Sequence, residues 1–413
     1  MSWHAGGRAR GRSCVRLAER RMEATIHSTV DEIPSWDEVA APAGFYSSSG
    51  WLRLVHQHGT RYIAVMDAGA VVGVLSCFLA RGGGVLPAYS DPAHLLIGGP
   101  PERTLPDELL YPVLFCGAVR GYSNRLLIRA GLDAASRARV IGGLVGTVRD
   151  LARQDGARLI AFGYLPAAEA AELAGADDRL RGIFAESECV AGPLGSFDGY
   201  MAQLRSHRRN QIKRQLRRFA DSGLRIDQRR LPEVIEPLAE LIAGHERHHG
   251  VPCTAQEVVD DFHLRIALGL EDRIRIFCAW QGDRLVGGTL FFVHGATAYS
   301  REYAGDFAIP KEVGLYFNCT FYEPMRAAAG QGITEIHYGL AALDAKVWRG
   351  CGVRPLVFVL DPTTARPREA HDVLVAAARA RIAGEAAILR QYHDEPGIRR
   401  ELALDLVEPM LAR

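Results

Sequence analysis

The chain has 413 residues, of which 48% are hydrophobic and 23% charged, and a formal net charge of +1. That length suits two domains of ordinary size, and the balanced charge excludes a protein that is basic all over, so a polyanion would have to be met by a local patch. No apolar run reaches the roughly 18 to 20 residues of a membrane span.

Residues 1–24, rich in Arg and Gly, read as a disordered tail without the apolar stretch of a signal peptide; Met22 offers an alternative beginning. The eight cysteines form no C-x-x-C pair. They read as reduced core thiols of a cytoplasmic protein rather than a zinc knuckle.

Beyond the tail the chain repeats itself. Arg61–Phe78, "RYIAVMDAGAVVGVLSCF", matches Arg275–Phe292, "RIFCAWQGDRLVGGTLFF". Each predicts a hairpin, with its turn at Asp67-Ala68-Gly69 or Gln281-Gly282-Asp283. "ARQDGARLIAFGYL" from Ala152 resembles "AAAGQGITEIHYGL" from Ala327, and Gly163 and Gly339 fall at equivalent places. Each is a helix end, a glycine stop and a short buried strand. Two copies of one unit, read as helix, hairpin, helix and strand, predict an α/β (α+β) fold with two domains, 25–190 and 191–365.

Between the copies, Tyr200–Ile226 predicts a helix with apolar positions Met201, Leu204, Ile212, Leu216 and Phe219, ended by Gly223. It carries Arg205, Arg208, Arg209, Lys213, Arg214, Arg217 and Arg218 without one acid. With no acidic i,i+4 partner to offset the repulsion, this run points to an anionic partner. "HERHHGVP" from His245 lacks the carboxylate spacing of a metal helix, so no metal is expected. Asp344, Lys346 and Arg349 stand between an apolar strand at Ile336 and another at Leu356–Leu360. Charged groups there are tolerated where they line a cleft and find partners. Residues 366–413 are Ala-rich and read as a helical extension.

The order of strand, turn, strand and helix, then "GITEIHYG", a lysine and an Arg-Gly step, resembles the GNAT acyltransferase fold. The doubled unit resembles the Fem-type N-acyltransferases, which carry two GNAT-like domains in one chain. The resemblance covers about Phe45 to Leu360 and extends to the basic helix and to "YGLAALDAKVWRGCGVRP". It implies tandem mixed sheets flanked by helices and amide-bond formation without a cofactor. The co-substrate would be aminoacyl-tRNA or acyl-CoA. Acyl-CoA enzymes of this fold hold the pyrophosphate on a glycine-rich loop, but "IPKEVGLYFNCTFYEPMR" keeps only Gly314 and sets Tyr316 where a second small residue should stand. That departure favours aminoacyl-tRNA, with a small-molecule or peptidyl amine as acceptor and a place in natural-product biosynthesis. DNA is not an expected partner. An acyl-CoA N-acetyltransferase and a non-catalytic nucleotide- or RNA-binding module are the alternatives.

A GNAT-like sheet opens near its middle, and Thr297–Gly305 is the candidate central strand. Alternation sets Tyr299, Arg301 and Tyr303 on one face and Ser300 and Glu302 on the other. Glu302 is the candidate for proton handling or amine binding. The resemblance places Lys346 at the acyl site as a stabiliser of negative charge, with Arg349 beside it; Asp344 is expected to orient Lys346 or the acceptor amine. Tyr299, Arg301, Tyr303, Tyr338 and Arg349 are expected to bind substrate. The basic run, with Lys311 and Gly314, is expected to hold tRNA or phosphate.

Overall fold

The computed structural model describes residues 22–83, 85, 91, 110–362 and 367–392. Strands β1 (Glu23–His27), β2 (Arg61–Asp67), β3 (Ala70–Ala80), β4 (Val113–Cys116), β5 (Leu127–Ile128), β6 (Leu159–Pro166) and β7 (Arg181–Ala191) come from the first half. Strands β8 (Arg225–Arg229), β9 (Ile274–Gln281), β10 (Arg284–His294), β11 (Thr297–Gly305), β12 (Glu335–His337) and β13 (Gly352–Pro362) follow. They join one mixed sheet in the order β1-β2-β3-β4-β6-β13-β7-β12-β11-β10-β9-β8, with β5 against β3.

The repeats found in the sequence occupy equivalent places in this sheet. The two matched segments are the hairpins β2–β3 and β9–β10, and the first turn residue has positive φ in both, 51° at Ala68 and 60° at Gly282. Gly156 and Gly332, at the two helix stops, both have φ 69°, the left-handed conformation that ends a helix and frees the chain to enter a strand.

The helix before β6, Ala134–Asp155, shows why such segments fold locally. Asp133 caps it by accepting from Ser136 N at 2.7 Å. Val140, Leu144, Val148 and Leu151 recur on one face and pack on the first hairpin. The other face of that hairpin packs on 30–55, which in turn covers the second half: Phe45 stacks on Phe292 with centroids 4.4 Å apart.

The sheet order departs from two domains laid end to end. Read inward from either edge, each half contributes its strands in turn, and the last place is then taken by the other half's final strand. β13 pairs with β6, and β7 pairs with β12, both antiparallel. The expected boundary at 190/191 therefore follows β7, but β13 of the second segment lies inside the first half's sheet.

Three smaller corrections follow. Residues 23 and 24, expected in the tail, belong to β1; residues 1–21 lie outside the described residues. The predicted helix over 200–226 is two helices, Phe197–Gln203 and Ser206–Asp221, broken at Leu204-Arg205, with β8 beginning at Arg225. The helical extension is Pro367–Arg390, and residues 393–413 lie outside the described residues.

Candidate active site

β11 and β12 run parallel and pair only at Thr297–Glu335, Ala298–Ile336 and Tyr299–His337. Beyond that they part. Gly339, at φ 67°, turns the chain after β12 away, and Tyr338 N then bonds the Cys189 carbonyl of β7 at 2.8 Å. The gap opens a cavity of about 890 Å³, lined by Arg301, Glu302 and Tyr303 of β11 and by Tyr338 to Ala341. The helix pair Ile235–His248 and Ala255–Ala267 forms another wall, and Trp51, Arg120 and Tyr122 reach in from the first half.

The same parting occurs in the first half, where β4 and β6 pair only as far as Cys116–Phe162. There the chain fills its own gap. Asn124 Oδ1 accepts from Ala118 N and its Nδ2 donates to the Gly163 carbonyl, both at 3.0 Å. A side chain on Gly163 would meet the Phe115 ring at 2.5 Å. The neighbouring Tyr122 instead crosses to the second half and donates to the Ser300 carbonyl at 2.5 Å.

The profile of the FemAB-like family, described as peptidoglycan biosynthesis/recognition, matches residues 110–380. The chain belongs to the FemAB-like family. Among solved structures it is similar to FemX, with a TM-score of 0.54 and 13% identity over 82% of this chain and 97% of that one. L-PGS from Bacillus licheniformis aligns with a TM-score of 0.50 and 12% identity over 85% and 96% of the two chains. A conserved protein of unknown function from Bacteroides thetaiotaomicron VPI-5482 gives 0.50 and 14% over 80% and 95%. At such identities the likeness is one of fold. No curated protein matches the sequence.

In this FemAB-like chain the expected site residues divide. Arg301, Glu302, Tyr303 and Tyr338 line the cleft. Arg301 lies where the register of β10 against β11 shifts, between Leu290–Glu302 and Phe291–Ser300. This bulge breaks the alternation expected along the strand, and Tyr299 lies apart from Arg301 and Tyr303. Its ring packs on Phe45, Tyr46 and His337, in a second cavity of about 330 Å³.

Glu302 is a poor proton acceptor. It receives hydrogen bonds from Arg265 at 2.6 and 3.2 Å. Burial alone would raise its carboxyl, but the Arg265 guanidinium outweighs that and lowers it below the ordinary range. Tyr338 stacks on Phe321 with centroids 4.3 Å apart; its buried hydroxyl has no hydrogen-bond partner among the described residues.

Lys346, Asp344 and Arg349 lie away from the cleft. The short helix Leu343–Trp348 turns Lys346 inward, and its ammonium donates to the carbonyls of Tyr338, Gly339 and Leu340 at 2.8, 3.2 and 2.5 Å. Its three hydrogens are thereby used, so Lys346 holds the cleft wall from behind. Asp344 accepts from the Tyr392 hydroxyl rather than orienting Lys346. Arg349 is buried over the Phe317 ring and donates to the Ala345 carbonyl at 2.7 Å.

The basic helix also divides. Arg208 is buried, 1% exposed, against Trp348 and Tyr392. Arg209 is half-buried and donates to the Leu204 carbonyl. Arg205, at the helix start, and Lys213, Arg214, Arg217 and Arg218 are exposed. The last four have no acidic partner among the described residues. This helix packs on the Lys311–Val313 turn, and Lys311 is exposed there. Gly314, at φ 72°, starts the helical run containing Tyr316 and Thr320, but its carbonyl is taken by Asn318 Nδ2 at 2.9 Å. Tyr316 packs against Tyr303, 4.7 Å between centroids.

Sequence reading missed Arg265, Arg120 and Glu246. Arg265 is 6% exposed and binds both Glu302 and Asp261. Glu246 lines the cleft and forms no hydrogen bond or ion pair through its side chain among the described residues. It lies inside "HERHHGVP", where the histidines draw the eye. Their rings gather around Phe307, with His248 3.6 Å from it. The second cavity holds a chain of charges missed as well. His337 bonds Glu188 and Glu335 at 2.7 Å each, and Arg354 grips Glu335 through both nitrogens.

Proposed function

We propose that this FemAB-like acyltransferase moves an aminoacyl group from charged tRNA to an amine held in the cleft between β11 and Tyr338–Ala341. The open cleft in the second half, beside a filled one in the first, carries this reading: it supports one reaction site per chain, with walls from both halves. The free carboxylate of Glu246 holds the acceptor amine and takes its proton as the nitrogen attacks the ester carbonyl. The C–N bond forms, the ester C–O bond to the tRNA ribose breaks, and the departing ribose oxygen takes up a proton.

A tRNA donor is supported by the exposed face of Lys213, Arg214, Arg217 and Arg218, which continues through Lys311 towards Tyr316 at the cleft. Acyl-CoA is less well served, since the Gly314 N–H is spent on the Lys311 carbonyl at 3.0 Å and Tyr316 crowds the loop that would approach a pyrophosphate. The deciding experiment incubates the protein with a panel of amine acceptors and either charged tRNA or acetyl-CoA. Deacylation of tRNA with amide formation is the expected result, and Glu246→Gln should lower it about 10²-fold or more. Turnover of acetyl-CoA alone would replace the donor.

A further inference from the structure

One wall of the cleft is apolar and is built by both halves. From the first half comes the short helix Ser49–Leu54, capped by the Ser48 hydroxyl, which accepts from Trp51 N at 3.3 Å. Trp51, Leu54 and Val55 follow one another at helical spacing and line the cavity. From the second half, Ile242 and Val258 line it from the two helices of the pair, and Val251 from their connection. Trp51, Val55 and Ile242 belong to one hydrophobic cluster, and Leu54 and Val258 pack against it. The wall is therefore one apolar surface shared by the halves. Leu54 and Val258 are half-buried and Val251 is 48% exposed. Exposed apolar side chains scattered singly carry no message, but these converge on a cavity.

The charged lining is largely spent on itself. Arg265 is held between Asp261 at 2.5 Å and Glu302 at 2.6 Å, and Arg301 and Arg120 act on Glu302 as well. Glu257 is turned to the start of its own helix, where it accepts from Thr254 N at 2.8 Å. Glu246 differs. Four residues after Ile242, it shares the inward face of that helix, and its side chain forms no hydrogen bond or ion pair among the described residues. One acidic group on the face that also presents apolar surface suits a ligand with one positive charge and an apolar body. A body bearing phosphate or several carboxylates would set anions beside Glu246, Asp261 and Glu302 and leave the apolar wall unused.

Resting on the acyltransferase reading, we propose that the acceptor is a primary amine on an apolar body, an alkyl- or arylalkylamine rather than a peptide. Its body lies on Leu54, Ile242 and Val258, and its ammonium meets Glu246. The amide bond forms as described above; the body takes no part in bond-making and serves to hold the nitrogen in place. A cavity of about 890 Å³ lies within the ordinary range for small-molecule sites. Each methylene buried on this wall strengthens binding by up to about fourfold.

The test is equilibrium binding to the full-length protein without any acyl donor, so it fails separately from the transfer reaction. The n-alkylamines from propyl to octyl are titrated calorimetrically beside alcohols of the same lengths, an ether-containing hydrophilic amine and a dipeptide amide. The expected result is an amine affinity that rises about two- to fourfold per methylene, with the hydrophilic amine about tenfold or more weaker than the alkylamine of its length. Leu54→Asp and Val258→Asp should each flatten the rise. Val258→Thr, which keeps the volume and the fold, should weaken octylamine about threefold or more. Glu246→Gln should bring the amines down to the alcohols without changing the dependence on length. Affinity independent of length, no binding of any amine at millimolar concentration, a dipeptide amide that binds more tightly than octylamine, or a rise unchanged in all three wall variants would each overturn the proposal. With charged tRNA added, acylation of the hydrophilic amine and not of the alkylamines would also overturn it, while leaving acyl transfer standing. Length-dependent binding without transfer from either donor would sustain the ligand class and remove the transfer reading.

Discussion

Lys346 illustrates how a buried charge can serve a site without touching substrate. Burial lowers its pKa below the ordinary lysine value, yet three carbonyls of the cleft wall surround its ammonium. Lys346→Ala would leave the Tyr338 and Leu340 carbonyls without this donor, while Gly339 keeps its bond from Cys189 N at 3.1 Å; the loss is roughly 2 to 5 kcal/mol. The expected outcome is a lower melting temperature together with lower turnover. A variant that loses turnover at an unchanged melt would return Lys346 to direct catalysis. His337 sets a pH limit of its own. Burial disfavours its charge, but Glu188 and Glu335 prevail and raise the imidazole from 6.5 to about 9. Because the folded value is the higher one, the stabilisation is complete below about pH 6.5 and is lost as pH rises through 9, up to roughly 3 kcal/mol. On the acid side, burial raises Glu335, but His337 and Arg354 bring it down to about 2. Its share is present above about pH 4.5 and disappears as pH falls towards 2. Melts across pH 5 to 10 should show the alkaline loss in the wild type and a much smaller one in His337→Gln.

At the scale of elements, the basic helix has separate structural and outward-facing positions. Replacing Lys213, Arg214, Arg217 and Arg218 by Gln should weaken tRNA binding, reduce its log–log salt slope by roughly three, and leave the fold intact. Arg208→Ala should instead lower the melting temperature, since its guanidinium packs between Trp348 and Tyr392. Binding across a salt series, beside melts of both variants, separates the two roles. The sequence hid this division, because seven cations in one run look alike until the neighbouring helices choose a face. The hairpins and glycine stops were legible, since turns and helix ends depend on nearby residues. The bulge at Arg301 was not, because it arises from register with β10. Lys346, Asp344 and Arg349 were misplaced for a related reason. Their partners are backbone carbonyls, a distant tyrosine and aromatic faces, none of which leaves a pattern beside them in the chain.

In the whole molecule the exchanged strands bind the halves together. β13 completes the first half's sheet, and β7 completes the second's. Residues 22–190 expressed alone would expose edges of β6 and β7 that β13 normally covers, and such edges invite aggregation. We expect that fragment to be insoluble or poorly folded, and co-expression with 191–392 to recover a soluble complex. Circular dichroism and size-exclusion chromatography of each fragment and of the pair would check this. A cooperative melt of the first fragment alone would contradict it.

The exchange also has a consequence on the ribosome. The first half is fully synthesised by residue 191, but its missing strand ends at Pro362. At about 5 to 20 residues per second, the nascent sheet waits on the order of ten to thirty seconds with a strand-wide gap between β6 and β7. A synonymous slow codon between those points would lengthen that wait, so the yield of soluble protein should depend on translation speed through the second half more than through the first.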